Sequence, residues 1–189
     1  MGMDSGIHAK GTAAGMSVQA RGICVNVVLR LVCLISTVAA LSLMVTAKQD
    51  STISVFGLTV PVRSKWSFSD SFQYLVGVTA AVAFHSLVQL LYNMSMILRK
   101  SLVISSRKYL WLLFAVDQVL AYALMSAGSA ASGVTNLNRT GIRHSALPNF
   151  CKPLSRFCNR VAVSIGLTFF SWLLLATSTV ADVVWLFKH

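Results

Sequence analysis

The side chains of this chain that are best suited to chemistry are ionisable groups within apolar runs. Asp117 lies eight residues after Tyr109, inside a run that continues to Gly133 and is long enough to cross a bilayer as a helix. That position is about 12 Å along the helix axis, so the short carboxylate cannot reach water. Because a buried aspartate costs about 2.5 to 3.5 kcal/mol on insertion scales, Asp117 needs a partner and marks a site.

Arg30 is the predicted partner of Asp117. It lies seven residues into the run that begins at Ile23, and alternate spans cross a membrane in the same direction, so the two depths match within about 2 Å. A guanidinium and a carboxylate at one depth form a bidentate, desolvated pair. Asp182 lies five residues before the end of the last run, which crosses the membrane in the opposite direction. It is therefore near the same membrane face and is a candidate third member of the pair. The alternative is an Arg30 that extends alone to the headgroups beside a protonated Asp117.

His85 is a second ionisable group at membrane depth, near the middle of its run. Gln89 and Asn93 follow it at four-residue spacing and so share its helix face. Intramembrane ionisable groups often mark ion pathways, which makes an oligomeric ion channel or proton-linked transporter using His85 and Asp117 the second function to test. A single histidine at this depth is more commonly a neutral packing residue, and four helices leave little room for a pore.

The elements that must hold these groups are membrane spans. The chain is 56% hydrophobic and 11% charged, with a mean hydropathy of +0.71. Four runs have spanning length, and they predict an all-α integral membrane four-helix bundle. The predicted helices are Ile23–Ala47, Phe72–Leu98, Tyr109–Gly133 and Val161–Phe187.

Each run carries polar or small residues at three- or four-residue spacing, which places them on one helix face. Lipid tails provide no hydrophobic drive between helices, so we expect these stripes to pack inward through close contacts and hydrogen bonds. The stripes are Asn26, Arg30, Cys33, Thr37 and Ala40; Gln73, Gly77, Ala81, His85, Gln89 and Asn93; Asp117, Ala121, Leu124, Gly128 and Ala131; and Ser164, Thr168, Ser171, Leu175, Ser178 and Asp182.

The segments between the runs define the predicted topology. Residues 1–22 form a disordered cytoplasmic tail, 48–71 and 134–160 are outer loops, 99–108 is a short basic cytoplasmic loop, and 188–189 is the cytoplasmic end. Lys and Arg residues are nearly balanced between the two sides. Because short loops weigh most in the positive-inside rule and the short loop contains four Lys and Arg residues, we expect both termini in the cytoplasm.

The last outer loop holds two further candidate sites. Cys151 and Cys158 share it, and they form either a disulfide, which requires an oxidising compartment, or two free thiols. A zinc site with His144 lacks an obvious fourth ligand, so no metal ion is predicted. The sequon that begins at Asn138 is a candidate N-glycosylation site if the loop faces the lumen.

The composition argues against catalysis and against nucleic-acid binding. The chain contains five aspartates and no glutamate, and it shows neither a glycine-rich phosphate loop nor a nucleophile elbow. We therefore expect no enzymatic activity and no cofactor. The net charge of +11 is spread over short segments next to apolar runs, which suits the lipid bilayer as partner better than nucleic acid.

Several of these features together resemble a known family. The arginine of the first run, the aspartate within LFAVDQVLAYALMSAGSAASG, the two cysteines before the last run and the segments YLVGVTAAVAFHSLVQLL and FCKPLSRFCNRVAVSI are similar to the plant Casparian strip membrane domain protein family, in its CASP-like members, over residues 27–187. The resemblance implies a four-helix, MARVEL-like plasma-membrane protein with cytoplasmic termini. In the family, the paired charges correspond to Arg30 and Asp117, and the outer cysteines to Cys151 and Cys158.

The resemblance also implies a function. Such proteins form oligomers with themselves and with related CASP-like proteins, and the resulting scaffolds mark membrane domains where cell-wall-modifying enzymes assemble. Proteins that build the strip itself carry an acidic, proline- and phenylalanine-rich stretch in the first outer loop, whereas this chain reads SKWSFSDSFQYL there. We therefore expect a non-enzymatic scaffold of the CASP-like type rather than a component of the strip.

Overall fold

Four long helices and a small β-hairpin make up the part of the chain that the computed structural model describes, residues 5–55, 58–98, 107–140, 151 and 154–188. The elements are α1 (Ser5–Val45), β1 (Lys48–Val55), β2 (Leu58–Lys65), a 3-10 turn (Trp66–Phe68), α2 (Asp70–Leu98), α3 (Arg107–Thr140) and α4 (Ser155–Lys188). Each helix contains a stretch long and apolar enough to cross a membrane. The predicted four-helix membrane bundle is confirmed.

The helices form a ring in which α1 and α3 each pack against both α2 and α4. The core next to the hairpin includes Met44, Phe72, Leu75, Phe157 and Val161. A second core cluster lies deeper in the bundle and includes Cys33, Val82, Ala121, Leu124 and Leu175. The helices turn large apolar residues outward as well, which suits a surface that faces acyl chains.

The helix α1 begins at Ser5, so the prediction of a disordered tail over residues 1–22 is wrong from that residue onwards. The segment contains several alanines and no proline, and the helix is already nucleated in the span, so it continues through the segment although each glycine there costs about 1 kcal/mol relative to alanine. Hydropathy marks where an apolar run begins, whereas the helix itself continues beyond it.

The second predicted outer loop, 134–160, is shorter than its predicted bounds because helices extend into it from both ends. Helix α3 continues to Thr140 and α4 starts at Ser155, so both ends of that segment are helical. As a result, Asn138 lies in the last turn of α3 and Cys158 in the first turn of α4. The predicted short loop, 99–108, likewise loses its last two residues to α3, which begins at Arg107.

The predicted first loop, 48–71, is mostly regular. Strands β1 and β2 pair in antiparallel register from Lys48↔Lys65 to Val55↔Leu58, and α2 begins at Asp70. The valines, isoleucine and threonines of this segment favour strands. The hairpin extends from the membrane end at which α1 stops and α4 starts.

Three of the four predicted inward stripes are confirmed for the side chains that the structure describes. The stripe of α2 is wrong in its first half, because Gln73, Gly77 and Ala81 are exposed. Besides Gln89, which belongs to the predicted stripe, α2 buries Phe72, Leu75, Thr79, Val82, Ala83, Ser86 and Leu90. The inward face of α2 is thus rotated away from the predicted one.

Candidate functional site

The centre of the bundle holds a buried ion pair between α1 and α3. The Nη1 atom of Arg30 donates to Oδ1 of Asp117 at 2.9 Å, and Nη2 donates to Oδ2. The side chains of Arg30 and Asp117 are only 2% and 1% exposed. The guanidinium therefore meets the carboxylate through two parallel hydrogen bonds, the geometry that best offsets the cost of removing both charges from water.

Two residues of α2 extend this pair into a four-residue polar cluster. The Nε2 atom of His85 lies 2.8 Å from Oδ1 of Asp117, and the Gln89 carboxamide lies 2.7 Å from the same ring nitrogen. The amide nitrogen of Gln89 is also 3.5 Å from Oδ1. The four-residue spacing of His85 and Gln89 predicts that they share one face of α2, and the structure adds that both contact Asp117.

The hydrogen bonds of the cluster indicate which ring nitrogen of His85 carries a proton. Asp117 accepts two hydrogen bonds from Arg30, so its carboxylate acts as an acceptor, and His85 must donate to it from Nε2. Gln89 donates to the same carboxylate oxygen from its amide nitrogen at 3.5 Å, and since two donors cannot share one hydrogen bond, its 2.7 Å approach to Nε2 of His85 brings together two groups that both face Oδ1. The cluster is then an ion pair whose carboxylate also accepts a hydrogen bond from His85.

A layer of small polar groups follows the cluster along α1. The hydroxyl groups of Ser36 and Ser171 lie 2.6 Å apart, and the Cys33 thiol lies 3.8 Å from the Ser171 carbonyl oxygen and 4.0 Å from the Ser86 hydroxyl. Further along, Ser164 donates to the Ala40 carbonyl oxygen at 2.7 Å. These hydrogen bonds link α1 to α4 and α2, and they give the helices a fixed register in lipid.

The predicted third member of the ion pair, Asp182, lies on α4, and its side chain is outside the described residues. One turn before it on α4, the Ser178 hydroxyl donates to Oδ1 of Asn26 at 3.2 Å. Asn26 in turn lies one turn before Arg30 on α1. The polar stripes of α1 and α4 therefore meet on this side of the cluster, and the role of Asp182 stays a prediction.

At the hairpin end of the bundle, Cys151 and Cys158 are joined by a disulfide, whereas Cys24 and Cys33 are free. The sequon residue Asn138 lies half-buried in the last turn of α3, and its glycosylation stays a prediction. Among the residues that the structure describes, no group of three His, Cys, Asp or Glu side chains could hold a metal ion.

The geometry of the four helices and the ion pair indicates the class of protein. Four spans, an interior crossed by a desolvated ion pair, and short connections describe a multi-pass integral membrane protein whose polar residues serve helix–helix contact. The comparisons with known proteins then give the family. Residues 19–174 match the Casparian strip membrane protein domain, so the chain belongs to that family.

The similar proteins are plant CASP-like proteins. The chain is 66% identical to CASP-like protein 3A1 of Vitis vinifera over 164 residues, which cover 87% of this chain and 78% of the relative. It is 68% identical to CASP-like protein 3A1 of Populus trichocarpa over 161 residues, 85% and 72% of the two chains, and 53% identical to that of Picea sitchensis over 164 residues, 87% and 80%. No solved structure matches the chain.

Proposed function

We propose that this protein is a non-enzymatic plasma-membrane scaffold of the CASP-like type. In this proposal it oligomerises with copies of itself and with related CASP-like proteins, organises a membrane domain and gathers cell-wall-modifying enzymes there. Both termini lie in the cytoplasm, and the hairpin and the disulfide lie on the opposite side. A disulfide supports this orientation, because disulfides persist in oxidising compartments outside the cytosol.

The observation that carries the proposal is a lipid-facing stripe of small residues on α3. Ser126, Ser129, Ala130 and Gly133 are all exposed, and a Cβ atom added to Gly133 would meet nothing within 4 Å. Packing inside the protomer therefore does not require small residues there. In membranes, small residues at four-residue spacing allow the close backbone approach on which helix association depends. α3 is also the least apolar of the four spans.

The interior of the protomer supports a building block rather than a reactive centre. The ion pair of Arg30 and Asp117 is desolvated, and the surrounding hydroxyl groups are hydrogen-bonded between helices or back to their own helix. Such an interior gives a bundle with one fixed packing, and copies of a fixed bundle can associate through a constant outer surface.

Single-molecule photobleaching in native membranes tests the proposal. We expect the fluorescently tagged wild-type protein to bleach in several steps, and the Gly133→Leu variant to shift towards single steps, because a leucine side chain prevents close approach along α3. Gly166→Leu is the matched control. Gly166 is an exposed glycine of α4, and a Cβ atom there also meets nothing within 4 Å.

Two outcomes decide the test. Oligomers that persist in Gly166→Leu and dissociate in Gly133→Leu support self-association through α3. Single-step bleaching of the wild-type protein at native density contradicts the scaffold proposal as a whole, whereas equal loss of oligomers in both variants contradicts the assignment to α3.

A second candidate function, an oligomeric ion channel or proton-linked transporter, rests on one contact. His85 and Asp117 are 2.8 Å apart at membrane depth, and such pairs occur in proton relays. Proton flux into proteoliposomes tests this candidate, with His85→Phe as the variant. We expect no flux above that of empty liposomes, since the cluster is packed between helices; flux that His85→Phe abolishes supports the transporter instead.

A further inference from the structure

The base of the hairpin brings two like charges together. Lys48 and Lys65 are direct cross-strand partners, the first pair of the β1–β2 register. Residues directly opposite each other share one face of a hairpin, with Cβ atoms about 4.5 to 5.5 Å apart, and like charges in such a pair are destabilising. The pair therefore costs the hairpin stability unless an anion lies between the two ammonium groups.

A third cation joins this pair through one carbonyl oxygen. The carbonyl oxygen of Thr46, just beyond the end of α1, accepts a hydrogen bond from the Lys48 backbone N–H and another from Nη1 of Arg160, both at 2.9 Å. Arg160 is an exposed residue in the second turn of α4. Its guanidinium therefore lies beside the base of the hairpin, and among the residues that the structure describes its remaining N–H groups have no acceptor, so they can bind an anion.

The nearby acidic residues do not compensate these three cations. Asp50 is paired with Arg63, with the Arg63 Nε atom 3.1 Å from Oδ1 of the carboxylate. Within the part of the chain that the structure describes, Asp70 makes no ion pair with Lys48, Lys65 or Arg160. Asp70 instead lies in the first turn of α2, where a carboxylate favours the helix dipole.

The position of the cluster indicates which anion it takes. The span of α1 ends at Val45 and that of α4 begins at Ser155, so Lys48 and Arg160 lie at the edge of the apolar region, where phospholipid phosphates are found. Lys and Arg side chains extend readily into that layer while their alkyl stems stay against apolar surface. A phosphate group has several acceptor oxygens and can bind more than one basic side chain at the base of the hairpin, and its charge removes the repulsion of the lysine pair.

We propose that Lys48, Lys65 and Arg160 form a binding site for the phosphate of an anionic phospholipid headgroup. The site is independent of self-association, so it holds for a monomer as well as for an oligomer. Bound lipid stabilises the base of the hairpin and ties it to the membrane surface, which fixes how the hairpin projects from the bundle.

Native mass spectrometry of the full-length protein with added phosphatidylglycerol tests the site. We expect the wild-type protein to retain phosphatidylglycerol in preference to phosphatidylcholine, and Lys65→Gln to weaken that binding about fivefold, the factor expected for one basic residue near a membrane surface. Arg139→Gln is the matched control, since it removes one exposed positive charge at the same end of the bundle and is expected to leave the affinity unchanged.

The Lys48→Glu variant separates binding from folding. It places opposite charges at the first cross-strand pair, so we expect the hairpin to be retained, which amide hydrogen exchange in β1 and β2 measures. Lipid binding is expected to fall by more than in Lys65→Gln. Equal retention of both lipids by the wild-type protein, or an equal loss in Lys65→Gln and Arg139→Gln, overturns the proposal. Saturation of the site by inorganic phosphate or by a soluble polyuronate, without preference for the lipid, overturns it as well.

Discussion

Gln49 and Phe157 connect the hairpin to the start of α4. The side-chain oxygen of Gln49, on β1, accepts a hydrogen bond from the Phe157 backbone N–H at 2.9 Å. The first backbone N–H groups of a helix have no partner within that helix, so a residue of another element satisfies one of them here. Phe157 also packs edge-on against Phe72 of α2, with ring centroids 6.5 Å apart. The hairpin, α2 and α4 are thus fixed relative to one another at this end.

We predict that Gln49→Met loosens the first turn of α4. Methionine preserves the length of the side chain and removes the acceptor, so the Phe157 N–H loses its partner at a cost of about 1 kcal/mol. Hydrogen exchange of the 155–160 segment, measured in detergent, is expected to become faster. Gln73→Met provides the control, because the Gln73 amide donates to the Ser67 carbonyl oxygen and has no contact with α4 that the structure describes. Unchanged exchange in Gln49→Met would contradict the capping role.

The disulfide gives a second prediction at the same end. Cys151 and Cys158 are seven residues apart, and closing a loop of that size stabilises the folded state by about 2 kcal/mol. The double replacement of both cysteines by alanine is therefore expected to lower the thermal stability of the protein in detergent. Alkylation before reduction is expected to modify Cys24, which is exposed, and to leave Cys151 and Cys158 unmodified. Rapid alkylation of either loop cysteine without reductant would support free thiols instead.

The depth of Arg30 and Asp117 was predictable because it depends only on counting along two parallel spans. The depth of each residue is counted from the first residue of its apolar run, and both runs have clearly marked starts. The cost of an uncompensated charge in the membrane leaves few candidate partners. Their burial on α1 and α3 followed from the stripes, since each of these helices has one polar or small stripe among large apolar residues.

The contribution of α2 was harder to predict, for two physical reasons. Gly77 and Ala81 are small, as are Thr79 and Ser86, so α2 carries two faces that suit close packing, and only the neighbouring helices decide which one is buried. The contact of His85 with Asp117 also depends on the true helix ends: α3 begins at Arg107 rather than Tyr109, which shifts the relative depths that apolar runs suggest.

We predict that the ion pair is more sensitive to losing one partner than to losing both. Arg30→Met or Asp117→Leu alone leaves an uncompensated buried charge and is expected to cost about 3 to 5 kcal/mol. The double variant places apolar side chains in contact and is expected to cost less than either single variant. Thermal unfolding of the four proteins measures the coupling. Charge reversal is a poorer test, because an arginine at position 117 would face the donating Nε2 of His85.

The last prediction concerns the role of His85, whose side chain is 18% exposed. If His85 donates to Oδ1 of Asp117, His85→Gln retains an N–H donor near that oxygen and is expected to be tolerated, whereas His85→Phe removes it and is expected to cost about 1 to 3 kcal/mol. A residue that served only to fill space would give the opposite order, since phenylalanine is closer to histidine in shape. The control repeats the comparison in the Asp117→Leu background. Without the carboxylate, the loss of folding stability caused by His85→Phe is expected to be smaller. An undiminished loss would show that His85 acts through packing alone.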